Sequence, residues 1–177
     1  SKKSMKISFS VLPHQDPSLG QASRLEVAEV SITGGAAKLI NKKVVHQSPD
    51  AGCRLEAQDF YDNDTKMTFT CYEPQGLGSA MKIDLTSGQV TNLSKMAGSY
   101  NEAEGIFPDG VHTTVEADRQ CETLGGKRGS GNIDIWKLKM DGTGKDFTRL
   151  TFFNDYEGGK ASNPVVSTDG RFMAFQY

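Results

Sequence analysis

Three segments of the chain align with one another without gaps, and this internal repetition limits the fold more than any other feature. They run from Glu56 to Phe69, from Glu102 to Val115 and from Ser162 to Phe175. Each reads as a strand, a polar turn and a second strand. The turns are Asn63-Asp64, Asp109-Gly110 and Asp169-Gly170, residue pairs that tolerate the positive φ of a tight hairpin. A further copy of the second strand stands at Lys6-Ile7-Ser8-Phe9-Ser10. The anchor of that strand recurs at Phe9, Phe69, Val115 and Phe175, at intervals of 60, 46 and 60 residues. The short interval is near the ~40–45 residues of a four-stranded propeller blade. The long intervals require insertions. One falls at residues 13–21, rich in Pro, Gln, Asp and Gly; the other falls at 122–132, a Gly/Lys/Arg/Ser run that predicts a mobile surface loop.

A second kind of hairpin lies between the anchors. Met81–Leu85 turns through Thr86-Ser87-Gly88 into Gln89–Ser94, and Ile133–Met140 turns through Asp141–Gly144 into Phe147–Thr151. Leu25–Val30 turns through Thr33-Gly34-Gly35 into Lys38–Ile40. All alternate with period two on both sides of a glycine turn. No segment longer than about ten residues keeps a 3.6-residue period. Two hairpins per repeat make four strands per repeat. The expected class is all-β, a β-propeller of four-stranded antiparallel blades. One region covers 1–177, with repeats at roughly 5–69, 70–115 and 116–175. The 177 residues supply about three to four blades, whereas closed propellers have about four to eight. The expectation is a partial propeller, or one completed by further blades of a parent chain or by a second copy.

Charge narrows the function classes. Lys plus Arg number 20 and Asp plus Glu 22, for a net charge of −2. A nucleic-acid ligand needs a cationic footprint, and Lys127-Arg128 is too short a basic run to supply one. No stretch approaches the roughly 18–20 apolar residues of a membrane span, and no signal-peptide pattern is visible. Cys53, Cys71 and Cys121 have no paired metal-ligand spacing and read as buried or half-buried thiols in strands, with one bridge left open. His14, His46 and His112 occupy different places in the repeat and suggest no shared metal.

The stretch Asp134-Ile135-Trp136-Lys137-Leu138-Lys139-Met140-Asp141-Gly142, with Arg149-Leu150-Thr151 and then Asn163 through Phe175, resembles the WD40-like (PD40) propeller repeat of the TolB family. Glu104-Gly105-Ile106-Phe107-Pro108-Asp109-Gly110 matches the second half of that pattern. In the first repeat Asp62-Asn63-Asp64 replaces Pro-Asp-Gly. The resemblance implies a TolB-like propeller and says little about activity, since one fold hosts many functions. It also implies a periplasmic or secreted location. Such repeats occur in periplasmic translocation proteins, in propellers of prolyl-oligopeptidase-like peptidases and in oligogalacturonate-lyase-like enzymes.

The first strand of each propeller blade lines the central channel. By the alignment Glu56, Glu102 and Ser162 share one channel-side position, and Gln58, Glu104 and Pro164 share another. Carboxylates from neighbouring strands can converge on a divalent cation or a cationic ligand. Pairing with backbone amides or with Lys and Arg of the next blade is the structural alternative. Arg119 can hold a carboxylate or phosphate bidentately, or form an ion pair between blades. Tyr156 and Lys160 sit in the loop before the last repeat, where a partner could be recognised. No Gly-x-Ser-x-Gly elbow or Ser-His-Asp grouping is visible. The expected function is a non-catalytic binding or scaffold module for a protein or glycan, with no cofactor beyond a divalent cation at the channel mouth. The alternatives are part of a metal-dependent carbohydrate-active propeller, or the gating propeller of a peptidase.

Overall fold

The structure is a computed structural model that describes residues 5–14, 22–48 and 53–177. Among the described residues four antiparallel sheets succeed one another. The first contains β1 (Met5–Val11), β2 (Arg24–Thr33) and β3 (Ala36–Gln47). The second contains β4 (Arg54–Tyr61), β5 (Lys66–Tyr72), β6 (Gly78–Asp84) and β7 (Val90–Asn92). The third contains β8 (Asn101–Ile106), β9 (His112–Ala117), β10 (Asp134–Lys139) and β11 (Phe147–Arg149). The last contains β12 (Ser162–Val166) and β13 (Met173–Gln176). Within each sheet the strands pair in sequence order, as blades of a propeller do.

The repeat relationship survives as a packing rule. The second strand of one sheet contacts the first strand of the next: β1 meets β4, β5 meets β8 and β9 meets β12. The first strands β4, β8 and β12 also touch in turn, which sets them side by side along one inner edge. β1 therefore takes the place of a second strand, where the isolated copy at Lys6–Ser10 put it. Each first strand carries a register shift near its middle: Ala57/Phe60 and Ala103/Ile106 at equivalent positions, and Ser162/Val165 one residue earlier in the alignment. A bulge adds local twist and re-aims the side chains beside it.

Two apolar layers hold the sheets together. Leu25, Val27, Leu55, Met67, Phe69 and Ile83 pack between the first and second sheets. Ala80, Leu93, Ala103, Val115, Leu138 and Met140 pack between the second and third. Phe69 is fully buried, and burial of such a side chain contributes about 1.5–3 kcal/mol. Trp136 packs against the second layer and meets Phe147 edge-on at 6.3 Å.

Two expectations change. The three cysteines are not all thiols: Cys53 and Cys71 form a disulfide, and only Cys121 is free and buried. Cys53 precedes β4 and Cys71 lies in β5, so the bridge crosslinks neighbouring strands. The loop at 122–132 is anchored where a mobile run was expected. It opens in a short helix, α1 (Cys121–Leu124). Buried Asp118 holds it by accepting from Gly129 N at 2.7 Å and Arg128 Nη1 at 3.4 Å. Gln120 Nε2 donates to Asn132 O at 2.7 Å from the other side. The insertion at residues 13–21 lies outside the described residues beyond His14. Asp62, Asn63 and Asp64 all take positive φ, at 52°, 54° and 60°, so this turn achieves a left-handed run without glycine.

Candidate functional site

The sequence Asn101-Glu102-Ala103-Glu104 alternates across β8. Ala103 goes into the apolar layer, and the two glutamates turn away from it. Glu102 lies directly opposite Glu116 of β9. One carboxylate oxygen each from Glu102, Glu104 and Glu116 falls within 4.8 Å of the others. Glu102 is 8% exposed and Glu116 4% exposed. The described residues contain this one group of three potential metal ligands and no other.

The three carboxylates have different partners. Glu102 accepts hydrogen bonds from the hydroxyls of Tyr72 and Tyr100. Tyr72 closes β5 and Tyr100 precedes β8, so Glu102 ties the second sheet to the third. Burial, and then the carboxylate they donate to, hold both phenols above their ordinary range. Both therefore remain protonated donors. Glu116 accepts from the backbone amide of Asn163 in β12, which ties the third sheet to the fourth. Burial pushes Glu116 up to about 7; the Asn163 amide and Lys160 oppose this, and Glu102 and Glu56 add to it. Burial pushes Glu104 up to about 9, reinforced by Glu102, Glu116, Glu56 and Asp59. Near neutral pH Glu104 holds a proton and Glu116 is close to half-protonated. The cluster is an excess of carboxylates, at which a bound cation would replace a proton.

The structure gathers four of the six residues singled out in the sequence. Glu102 and Glu104 belong to the cluster, Glu56 on β4 contributes to its field, and Lys160 acts on Glu116 while its Nζ reaches Ser130 O at 3.4 Å. Arg119 is engaged elsewhere. Its guanidinium stacks 3.7 Å above Phe147 and donates to Met96 Sδ at 3.1 Å. Tyr156 is 73% exposed beside an apolar hollow with Phe152, Phe153 and Phe175. No histidine joins the carboxylates: His46 packs on Phe69, and His112 pairs with Asp109 at 2.6 Å.

Glu116, Tyr72, Tyr100 and Arg54 were not foreseen. Glu116 was within reach of the sequence. Folding the hairpin about Asp109 sets residue 116 across from residue 102, on the same face of the sheet. The tyrosines had no such signal, because they arrive from the ends of segments outside the aligned repeats. Beside the carboxylates they wall a cavity of about 450 Å³ that also meets Arg54, Glu73 and Ser130.

No family model matches the chain and no curated protein matches it. Solved structures do. TolB from Acinetobacter baumannii superposes with a TM-score of 0.58 at 20% identity, over 98% of this chain and 38% of that one. A putative TolB from Agrobacterium tumefaciens gives 0.57 at 16% identity, over 85% of this chain and 49% of that one. A prolyl endopeptidase gives 0.57 at 16% identity, over 86% of this chain and 22% of that one. The chain thus spans less than half the length of each of these three. What it shares with them, at such identities, is the β-propeller fold found in TolB and in prolyl endopeptidases.

Proposed function

We propose that the chain is a non-catalytic propeller module that binds a protein partner by accepting a basic segment at the channel mouth. The observation that carries this reading is the convergence of Glu102, Glu104 and Glu116 within 4.8 Å, on the inner strand pair of the third sheet. Raised pKa values at two of them leave the mouth short of cations, and a partner's lysine or arginine would relieve that. The Cys53–Cys71 bridge supports an extracytoplasmic setting, since such bonds persist in oxidising compartments. The test is calorimetry with a blocked heptapeptide alternating arginine and glycine, its glutamate counterpart and a neutral oligosaccharide. The basic peptide should bind and lose affinity in Glu116→Gln. Binding of the oligosaccharide instead would assign the face to a glycan, and binding of none would overturn the reading.

The same triad favours a second reading, a divalent-cation site in a metal-dependent carbohydrate-active propeller. Three oxygen ligands suit Ca²⁺ or Mn²⁺. Calorimetric titration with each ion at pH 8 separates the two: ion binding abolished by Glu104→Gln supports the metal, and no heat removes it.

A further inference from the structure

The first sheet leaves open an edge that the other sheets fill. β5, β9 and β13 each pair with a first strand: β4, β8 and β12. β1 holds the same place in its sheet, yet among the described residues it pairs with β2 alone. Beside its open edge lies a cleft of about 440 Å³, between Ser8, Phe9 and Ser10 of β1 and Arg54, Glu56 and Ala57 of β4. First strands of successive sheets stand side by side, so this cleft is where a strand preceding β4 would lie. β1 is held in the attitude of a second strand. Ser10 Oγ accepts from Ala57 N at 3.0 Å, just as Thr70 Oγ1 accepts from Ala103 N at 3.0 Å at the next interface. The edge is also well formed. β1 pairs with β2 through seven consecutive residues without a register shift, contains no proline, and has one lysine, Lys6, whose ammonium donates to Asp64 O at 3.1 Å. The outer edge strand β3 differs: it carries Lys38, Lys42 and Lys43 and two register shifts, devices that discourage strand pairing.

We propose that the open edge of β1 binds an extended segment of a protein partner, which joins the first sheet as its innermost strand, antiparallel to β1. An unpaired edge is a template for another strand, and strand addition takes its affinity from main-chain hydrogen bonds. The chain itself supplies the pattern. Ser8-Phe9-Ser10 repeats Thr68-Phe69-Thr70 of β5, against which β4 sets Ala57 opposite Phe69 and Glu56 opposite Thr70. In β8 and β9 Ala103 likewise lies opposite Val115. The segment therefore places a small residue opposite Phe9 and contains no proline. This surface does not rest on the carboxylate reading above, and either can fail without the other.

The probe is a blocked octapeptide with the sequence of β4, Arg54–Tyr61, added to the whole chain and followed by calorimetry and by backbone amide shifts. It should bind, with shifts confined to residues 5–12 and 54–58. Two further peptides carry N-methyl groups on alternate residues, one on the odd positions and one on the even. An antiparallel edge uses the amides of one set only. One methylated peptide should therefore bind at least about tenfold more weakly and the other within about twofold of the parent. Because these changes lie in the peptide, the fold of the protein is not at issue. No binding, equal losses in the two methylated peptides, or shifts at β3 or β13 would overturn the proposal. So would a chain that is dimeric at the assay concentration and whose β1 amides the peptide leaves unmoved, which would assign the edge to a second copy.

Discussion

Glu102 faces Glu116 across the β8–β9 ladder, and the two carboxylates reach in opposite directions to neighbouring sheets. Glu102 takes the hydroxyls of Tyr72 and Tyr100, while Glu116 takes the amide of Asn163. One cross-strand pair thus joins three successive sheets. It also concentrates negative charge there, with Glu104 beside it.

That concentration makes stability depend on pH. Glu116 and Glu104 have folded-state pKa values of about 7 and about 9, against 4.5 for an ordinary glutamate. A raised folded pKa means the fold binds the proton more tightly than the unfolded chain does. The stabilisation is complete below about pH 4.5 and is lost as pH rises through about 7 and then about 9. The unfolding free energy from urea titrations between pH 5 and pH 9.5 should fall by several kcal/mol, at about 1.4 kcal/mol per pH unit for each group until its folded pKa is passed. Glu104→Gln should flatten the upper part of that decline.

Asp134 is fully buried and accepts from Arg149 Nη2 at 2.6 Å, Thr151 Oγ1 at 2.7 Å and Phe153 N at 3.0 Å. It pins the outer strand β11 and the turn after it. Removing one member of a buried ionic network leaves the others unpaired. Asp134→Ala should cost about 3–5 kcal/mol in chemical denaturation, and Asp134→Asn should cost less.

Phe69 and Phe175 hold equivalent places in the repeat but not in the core. Phe69 is 0% exposed between sheets, and Phe175 is 38% exposed beside Phe153. Phe69→Ala should cost about 3–5 kcal/mol, and Phe175→Ala about 1 kcal/mol. Equal losses would mean that the last sheet is covered as the second one is.

The Cys53–Cys71 bridge closes a sequence separation of 18 residues. Its loss should remove about 3 kcal/mol by the chain-entropy argument. Thermal melts with and without dithiothreitol measure this, and a Cys53→Ser/Cys71→Ser variant should melt as the reduced protein does.

The fold was legible because its repeat is written in turn residues and alternating strands, features that local sterics decide. Phe9, Phe69, Val115 and Phe175 marked the second strands correctly, and the Glu56 and Glu102 alignment marked the inner ones. The site was half legible. Glu102 and Glu104 were singled out in the sequence, but their chemistry depends on Tyr72 at the end of β5 and Tyr100 just before β8, both beyond the aligned segments. Arg119 shows the converse. Its charge suggested a ligand or an ion pair, yet the ring of Phe147 and the sulfur of Met96 captured it. The disulfide was invisible to spacing because Cys53 and Cys71 meet only once β4 and β5 are paired.

The carboxyl ¹³C shifts of Glu104 and Glu116, titrated from pH 4 to pH 10 with and without the basic heptapeptide, test the central claim most directly. The account predicts midpoints near 9 and near 7 in the free protein, both displaced downward when the peptide's cations occupy the mouth. Midpoints near 4.5 that the peptide leaves unchanged would contradict it.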